Sequence, residues 1–259
     1  MTGFSARPGA FPALGRGEVH VWRTALDLDP ARVAALAESL SPDERDRAAR
    51  FHFERDRVRF TVARGVLRAL LGRYLDLPAP ALAFDYGAHG KPSLAAGPVG
   101  RAVGGSPGAE VRFNLSHSAG VALCAVARGR DVGVDVEGLR ADFATDEIAE
   151  RFFSPAERAA LRALPAEARC AAFFACWTRK EAYIKARGLG LSLALDAFDV
   201  SLAPDEPAAL LATRDDPGAR DHWSLRALEP GPGLAGAVVA EGRDWALRCW
   251  RWEAEPAAR

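Results

Sequence analysis

Two acidic residues, Asp135 and Glu137, stand two positions apart in the segment DVGVDVEGL. The residues that alternate with them are valines, a pattern that predicts a strand with one buried face: Val132, Val134 and Val136. Side chains at i and i+2 of a strand share a face and lie about 7 Å apart. Two carboxylates at that spacing can approach one cation. The alternative interpretation is a solvent-facing edge strand on which acids are harmless.

A third carboxylate and a lysine lie on one face of a predicted helix in the segment FFACWTRKEAYIKARGLG. Trp177, Glu181 and Lys185 follow one another at intervals of four residues, which is the spacing of one helix face. A Glu–Lys pair of this kind is often only a surface ion pair. Together with Asp135 and Glu137, however, Glu181 would complete a set of oxygen ligands of the type that Mg²⁺ prefers.

Lysine is rare in this chain, which has 34 basic residues of which three are lysine: Lys91, Lys180 and Lys185. An ammonium is a compact charge that can lose a proton, whereas a guanidinium cannot. The three lysines are therefore candidates for roles that arginine performs poorly, although chance retention is the alternative.

Composition excludes several classes of protein. The formal net charge is zero, which argues against a broad basic surface for nucleic acid. No apolar run is long enough to span a membrane, and the first residues do not resemble a signal peptide. The four cysteines lack metal-ligand spacing. We therefore expect a cytoplasmic protein that contacts neither membrane nor nucleic acid.

The chain repeats itself at an offset of 113 residues. EVHVWRTAL aligns with DVGVDVEGL, SPDER with SPAER, and GVALCAVARG with GLAGAVVAEG. These matches predict an internal duplication with units at 18–130 and 131–242. The first unit has Trp22 and Thr24 where the second has Asp135 and Glu137, so the repeated fold itself does not require the acidic pair.

Each unit is predicted to contain the same elements. A strand opens it, a helix capped at Ser-Pro follows, then a long amphipathic helix, and two further strands close it. The long helices are predicted over Val58–Gly72 and Cys170–Arg187. The predicted fold class is α+β, with two pseudo-twofold-related halves whose helices pack on a mainly antiparallel sheet.

Six segments, taken together and in this order, resemble the motifs of a known family: RFHFERD, GKP, FNLSHS, VGVDVE, FFSPAE and WTRKEAYIKARGLGLS. The family is the 4′-phosphopantetheinyl transferases, of the two-domain type that acts on peptide and polyketide synthetases. The resemblance implies a cleft for coenzyme A between two α+β halves. Residues 1–130 would be the coenzyme A clamp, and 131–259 would carry the metal-binding carboxylates and a C-terminal tail.

The implied reaction transfers the phosphopantetheine arm of coenzyme A to a serine of an apo acyl or peptidyl carrier protein, releasing adenosine 3′,5′-bisphosphate. The resemblance implies that Asp135, Glu137 and Glu181 hold Mg²⁺ on the pyrophosphate. The serine proton would pass to Glu181 or to a water on the metal. Lys185 would stabilise the charge that develops on the leaving phosphate.

The resemblance also implies contacts with coenzyme A. His117 would touch a phosphate with Ser116 beside it, and the turn Gly90, Lys91, Pro92 would approach the adenine, with Lys91 reaching a phosphate. Arg55, together with Arg47 or Arg50, would clamp the 3′-phosphate.

Two other functions use the same residues. A metal-dependent hydrolase would cleave a nucleotide pyrophosphate by letting water attack, and a non-catalytic module would only bind coenzyme A or a carrier. Because one chain supplies both halves of the cleft, we expect a monomer.

Overall fold

The computed structural model describes residues 3–95 and 111–253, so the last residues of the predicted C-terminal tail lie outside it. Residues 3–95 and 111–128 form five strands and three α-helices. In chain order they are β1 (Glu18–Ala25), α1 (Pro30–Glu38), α2 (Pro42–Ala49), α3 (Glu54–Leu75), β2 (Phe84–Tyr86), β3 (Pro92–Leu94), β4 (Val111–Ser118) and β5 (Val121–Arg128).

The second part of the described chain holds six strands and four helices. They are β6 (Val132–Gly138), α4 (Asp146–Phe152), α5 (Pro155–Ala163), α6 (Ala166–Arg187), β7 (Phe198–Val200), β8 (Leu210–Thr213), α7 (Ala219–His222), β9 (Trp223–Leu228), β10 (Leu234–Glu241) and β11 (Ala246–Arg251).

Both long helices extend beyond the predicted bounds. Helix α3 begins at Glu54 rather than Val58 and ends at Leu75, and α6 begins at Ala166 rather than Cys170. The additional first turns are polar, and an ion pair between Glu54 and Arg57 spans the start of α3. Hydrophobic periodicity cannot detect such turns, because they bury no apolar side chain.

Two sheets carry the helices, and the α+β fold class is confirmed. One sheet has the strand order β11-β1-β5-β4 and the other has β6-β10-β9. All pairings are antiparallel except that between β1 and β11, so a strand from the end of the chain completes the sheet of the first half. No helix in residues 3–95 or 111–253 is long and apolar enough to cross a membrane.

The two halves repeat their strand register at the offset found in the sequence. Val19 is paired with Ala127 between β1 and β5, and Val132 is paired with Ala240 between β6 and β10. The order of capped helix, long helix and closing strands also recurs. These correspondences agree with the predicted duplication, which stays an inference about the origin of the chain.

A buried ionic network recurs in both halves. Glu44 at the start of α2 pairs with Arg68, whose guanidinium also donates to two backbone carbonyl oxygens of the segment after α3. Glu157 at the start of α5 pairs with Lys180 (2.7 Å), whose ammonium also donates to the carbonyl oxygens of Leu195 (2.7 Å) and Phe198 (2.6 Å). All three N–H donors of Lys180 are therefore used, and its role is structural.

Strand β6 lies where the two halves meet. Its valines are fully buried in a core cluster that also contains Val21 and Leu123 of the first sheet. Its other face carries Gly133, Asp135 and Glu137. Because successive side chains of a strand point to opposite faces, burial of the valines turns both carboxylates away from this core.

Candidate active site

Helix α6 packs directly on the acidic face of β6. A Cβ atom added to Gly133 would lie 2.1 Å from the carbonyl oxygen of Ala182 and 2.3 Å from the nitrogen of Ala186. Only glycine permits this approach of the two backbones. The contact brings Glu181 and Lys185 on the helix next to Asp135 on the strand.

Asp135 is the buried centre of the cluster, with 2% of its surface exposed. Its Oδ1 atom accepts hydrogen bonds from Lys185 Nζ (2.6 Å) and from Ser116 Oγ (2.7 Å). Its Oδ2 atom is buried and has no hydrogen-bond partner among the described residues. A buried carboxylate oxygen without a partner is costly, which makes this atom a natural ligand for a cation.

The other two carboxylates lie close enough to Asp135 to feel its charge. Burial raises the pKa of Glu137, and the charge of Asp135 raises it further, while a hydrogen bond from Ser118 opposes the shift. Burial likewise raises the pKa of Glu181, followed by repulsion from Asp135 and a smaller repulsion from Glu137, which Lys185 partly offsets. The three carboxyl groups therefore lie close enough together to interact electrostatically.

The described residues do not form a ready-made metal site: no three of their His, Cys, Asp or Glu side chains are grouped so that they could hold an ion. The ammonium of Lys185 supplies the positive charge beside Asp135. The donor set nevertheless fits Mg²⁺, because all three side chains offer hard oxygen ligands and Asp135 Oδ2 has no other partner.

A cleft of about 290 Å³ adjoins the acidic cluster. Glu181 and Lys185 line one side, and the turn between β2 and β3 lines the other through Gly90, Lys91 and Pro92. Gly90 has a φ of 76°, a left-handed conformation that favours glycine. The sequence-predicted turn and the helix residues are thus brought to one cleft.

Lys91 also lines a second cavity of about 240 Å³. Its Nζ atom donates to the carbonyl oxygens of Val132 (3.2 Å) and Ala186 (3.1 Å). Burial lowers the pKa of this ammonium. Lys91 therefore ties the turn to the start of β6 and the end of α6, and two of its three donors are already used.

His117 lies near the end of β4, on the strand face that also carries Phe113 and Leu115, in a basic environment. Its pKa is lowered first by lost hydration and then by the positive charges of Lys185, Arg47 and Arg59. Arg47 is exposed and its guanidinium lies over the ring of Phe60 (5.4 Å). His117 is therefore close enough to Arg47 for the positive charge of Arg47 to affect its pKa. This local positive charge suits the binding of an anion.

Arg55 is not brought into the cluster. Its side chain is 69% exposed at the start of α3 and pairs with Asp56 (3.4 Å). Arg59 is less exposed than Arg55, and two hydrogen bonds of 2.8 Å join it to Asp27. Sequence alone does not single out Arg59, because the segment 43–73 contains nine arginines.

The hydroxyl of Ser116 donates to Asp135, and its predicted place beside a phosphate stays a prediction. Two further residues of the same strand were not predicted: Asn114 accepts from the backbone nitrogen of Val134, and Ser118 donates to Glu137. Alternation of polar residues in FNLSHS opposite the alternating acids of VGVDVE is the sequence signal that could have revealed them.

Two family models match successive parts of the chain. The model of the 4′-phosphopantetheinyl transferase superfamily matches residues 131–245, and the model described as 4′-phosphopantetheinyl transferase, N-terminal, matches residues 29–128.

Individual proteins give the same result. The 4′-phosphopantetheinyl transferase HetI of Nostoc sp. is 41% identical over 91% of this chain and 92% of its own length. The 4′-phosphopantetheinyl transferase Sfp of Bacillus subtilis is 29% identical over 80% of this chain and 84% of its own. A crystal structure of Thermotoga maritima holo-[acyl-carrier-protein] synthase matches with a TM-score of 0.36 and 21% identity, over 44% of this chain and 63% of that one. By the match to HetI and the two family models, the chain belongs to the 4′-phosphopantetheinyl transferase superfamily.

Proposed function

We propose that this enzyme transfers the 4′-phosphopantetheine arm of coenzyme A to a serine of an apo carrier protein, requires Mg²⁺, and releases adenosine 3′,5′-bisphosphate. Membership of the family supports phosphopantetheinyl transfer to carrier proteins and coenzyme A as the substrate. The observation that carries the rest is the acidic cluster of Asp135, Glu137 and Glu181 beside Lys185, at the edge of a cleft between the halves.

Asp135, Glu137 and Glu181 are the side chains that would hold Mg²⁺. The bound cation would offset negative charge on the pyrophosphate and on the leaving phosphate. Burial raises the pKa of Glu137 and of Glu181, and repulsion from the charge of Asp135 raises both further. The cluster is therefore better suited to binding a cation than to stabilising the fold.

Glu181 is the proposed base. The serine Oγ atom forms a bond to the phosphorus that carries pantetheine, its proton passes to Glu181, and the bond from that phosphorus to the bridging oxygen breaks. The electron pair leaves with adenosine 3′,5′-bisphosphate. A raised pKa makes Glu181 a better proton acceptor near neutral pH.

We propose that the ammonium of Lys185 pairs with Asp135 before the substrate binds and with a phosphate of the substrate afterwards. In this structure its ammonium pairs with Asp135 (2.6 Å). A pyrophosphate in the adjoining cleft would offer it a stronger partner, so that the ammonium donates to the phosphate oxygens as charge develops on the leaving group.

The remaining predicted residues form the proposed binding surface for coenzyme A. His117 and Ser116 would lie beside a phosphate, and the turn Gly90, Lys91, Pro92 would line the adenine side of the cleft. Lys91 would use its third N–H donor for this. Arg47 and the exposed Arg55 would clamp the 3′-phosphate.

The two halves have different proposed tasks. Residues 1–130 would grip the coenzyme, and residues 131–259 would supply the carboxylates. Since both halves come from one chain, we propose that the enzyme acts as a monomer, and that it acts in the cytoplasm as the sequence predicts.

Mass spectrometry of apo carrier proteins after incubation with enzyme, coenzyme A and Mg²⁺ tests the proposal. One added arm per carrier serine is expected, and none in the presence of a chelator. Release of the bisphosphate without a carrier would instead indicate a pyrophosphate hydrolase. Binding of coenzyme A without any product would indicate a non-catalytic module.

A further inference from the structure

Strands β4 and β6 come from different sheets and meet along a line of side-chain hydrogen bonds. The residues that make these bonds alternate along β4, so that they share one face: Asn114, Ser116 and Ser118. Asn114 Oδ1 accepts from the backbone nitrogen of Val134 (2.9 Å), which satisfies a buried donor on the edge of β6. Polar side chains of one strand thus fix the position of the other.

Ser118 occupies the end of this line and has a defined hydrogen-bond direction. Its Oγ atom lies 3.2 Å from the backbone nitrogen of Gly138 and 2.6 Å from Glu137 Oε2. The amide can only donate and the hydroxyl has a single hydrogen, so Ser118 accepts from Gly138 and donates to Glu137. A Cβ atom on Gly138 would lie 2.9 Å from the Cβ of Ala119, so the backbones at this end are held close.

Glu137 depends on Ser118 more than Asp135 depends on any one donor. Asp135 Oδ1 has two donors, Ser116 and Lys185. Within the described part of the chain, Glu137 has a side-chain hydrogen bond from Ser118, whereas Lys185 and Arg140 act on it only through their charges. The orientation of this half-buried carboxylate therefore rests on one hydroxyl.

We propose that Ser118 is a positioning residue that aims the carboxylate of Glu137 at the reacting pyrophosphate and its cation. The assignment rests on the proposed function only for the identity of what Glu137 binds. The hydroxyl itself touches neither substrate nor cation. The hydroxyl contributes by holding a charged side chain in one orientation. A hydrogen bond to a charged group is stronger than one between two neutral groups.

Kinetics of three variants test the proposal. Ser118→Ala should lower kcat/KM for transfer about tenfold or more and raise the Mg²⁺ concentration that gives half-maximal rate. Ser118→Thr, which keeps the hydroxyl, should stay within about threefold of the parent. Ser224→Ala is the matched control, because Ser224 is also a half-buried strand serine that loses one hydrogen bond, to the carbonyl oxygen of Gly242. It should leave both quantities unchanged.

Equal kinetics for Ser118→Ala and Ser224→Ala would overturn the proposal, as would an equal loss in Ser118→Thr. Crystal structures of the parent and both Ser118 variants provide a readout that does not depend on activity. The carboxylate of Glu137 should keep its place in Ser118→Thr and leave it in Ser118→Ala. If the parent transfers no arm, the proposed function fails, yet these structures still decide whether Ser118 positions Glu137.

Discussion

At the scale of single residues, the site depends on which groups balance the negative charge of Asp135. One oxygen of this buried carboxylate has the ammonium of Lys185 and the hydroxyl of Ser116, and the other has no described partner. Lys185 therefore acts as an internal counter-ion in the protein without ligands. We propose that the ammonium of Lys185 is free to donate to phosphate when a divalent cation balances the charge of Asp135.

Replacement of Lys185 by Met should expose this competition. The variant leaves the Asp135 carboxylate buried without its cation, so the free energy of unfolding in EDTA should fall by about 1–3 kcal/mol. Mg²⁺ should then raise Tm more in Lys185→Met than in the parent. Thermal unfolding with and without Mg²⁺ measures this. Arg187→Met, which removes a pair with Asp215, is the control and should respond to Mg²⁺ as the parent does. An equal Mg²⁺ response in all three proteins would contradict the counter-ion role.

Glu181 gives a second residue-scale prediction. Glu181→Gln should reduce kcat for transfer at least about a hundredfold, because the neutral amide cannot accept the serine proton. Tm should not fall, since the change removes a partly buried charge that Asp135 and Glu137 repel. The exposed Glu167 of the same helix supplies the control, Glu167→Gln. A normal kcat in Glu181→Gln would remove Glu181 as the base.

At the scale of elements, the site exists because β6 and α6 touch. Alternation along β6 buries the valines on one face and leaves Gly133, Asp135 and Glu137 on the other. The absence of a side chain at Gly133 lets the helix approach closely enough for Glu181 and Lys185 to reach the acids of the strand.

Gly133→Ala should therefore damage both stability and activity. The added methyl would lie 2.1 Å from the carbonyl oxygen of Ala182, so strand and helix must separate. We expect a loss of about 1–3 kcal/mol in unfolding free energy, typical of overpacking, and a fall in kcat in the protein that remains folded. Denaturant unfolding and kinetics at equal folded concentration measure the two effects. Gly9→Ala should change neither, because apart from its chain neighbours no described residue has an atom within 4 Å of the added Cβ.

At the scale of the whole molecule, the two halves are joined into one body by three features. A core cluster contains residues of both sheets, the line of Asn114, Ser116 and Ser118 binds β4 to β6, and β11 from the end of the chain pairs with β1. The boundary between the two halves, at residue 130 of the sequence, therefore does not separate two independent bodies in space. We expect the halves to unfold together.

A buried histidine makes the stability of this body depend on pH. Trp22 Nε1 donates to Tyr74 Oη (2.7 Å), which directs the hydroxyl hydrogen of Tyr74 to His20 Nδ1 (2.8 Å). Burial lowers the pKa of His20 below its ordinary value of 6.5, against the opposing charge of Glu18. The unfolded chain thus binds this proton more readily than the folded protein.

The contribution of His20 to stability is accordingly complete above about pH 6.5 and decreases as the pH falls from there towards the folded pKa. Tm measured from pH 7.5 to 5.5 should decline in the parent and decline less steeply in His20→Gln. His222→Gln, at an exposed histidine, is the control and should follow the parent. If Tm declines equally steeply with falling pH in the parent and in His20→Gln, a group other than His20 causes the loss of stability at acid pH.

The sequence by itself determined the features that depend on local periodicity. Alternation of Val with Asp135 and Glu137 predicted the strand and its two faces, the four-residue spacing of Glu181 and Lys185 predicted a helix face, and the offset of 113 residues predicted two similar halves. These features follow from neighbours along the chain, and the structure has the corresponding elements.

Only the tertiary structure decided which side chains meet. The pairs Ser118–Glu137, Lys185–Ser116 and Arg59–Asp27 join residues 19, 69 and 32 positions apart, and no local period fixes such pairings. The rarity of lysine marks both Lys180 and Lys185 as candidates, yet Lys180 is buried in an ionic network of the fold and Lys185 lies at the cleft. The physical reason is that burial and hydrogen-bond partners arise when strands and helices pack, so residue type limits the possible roles and packing selects one of them.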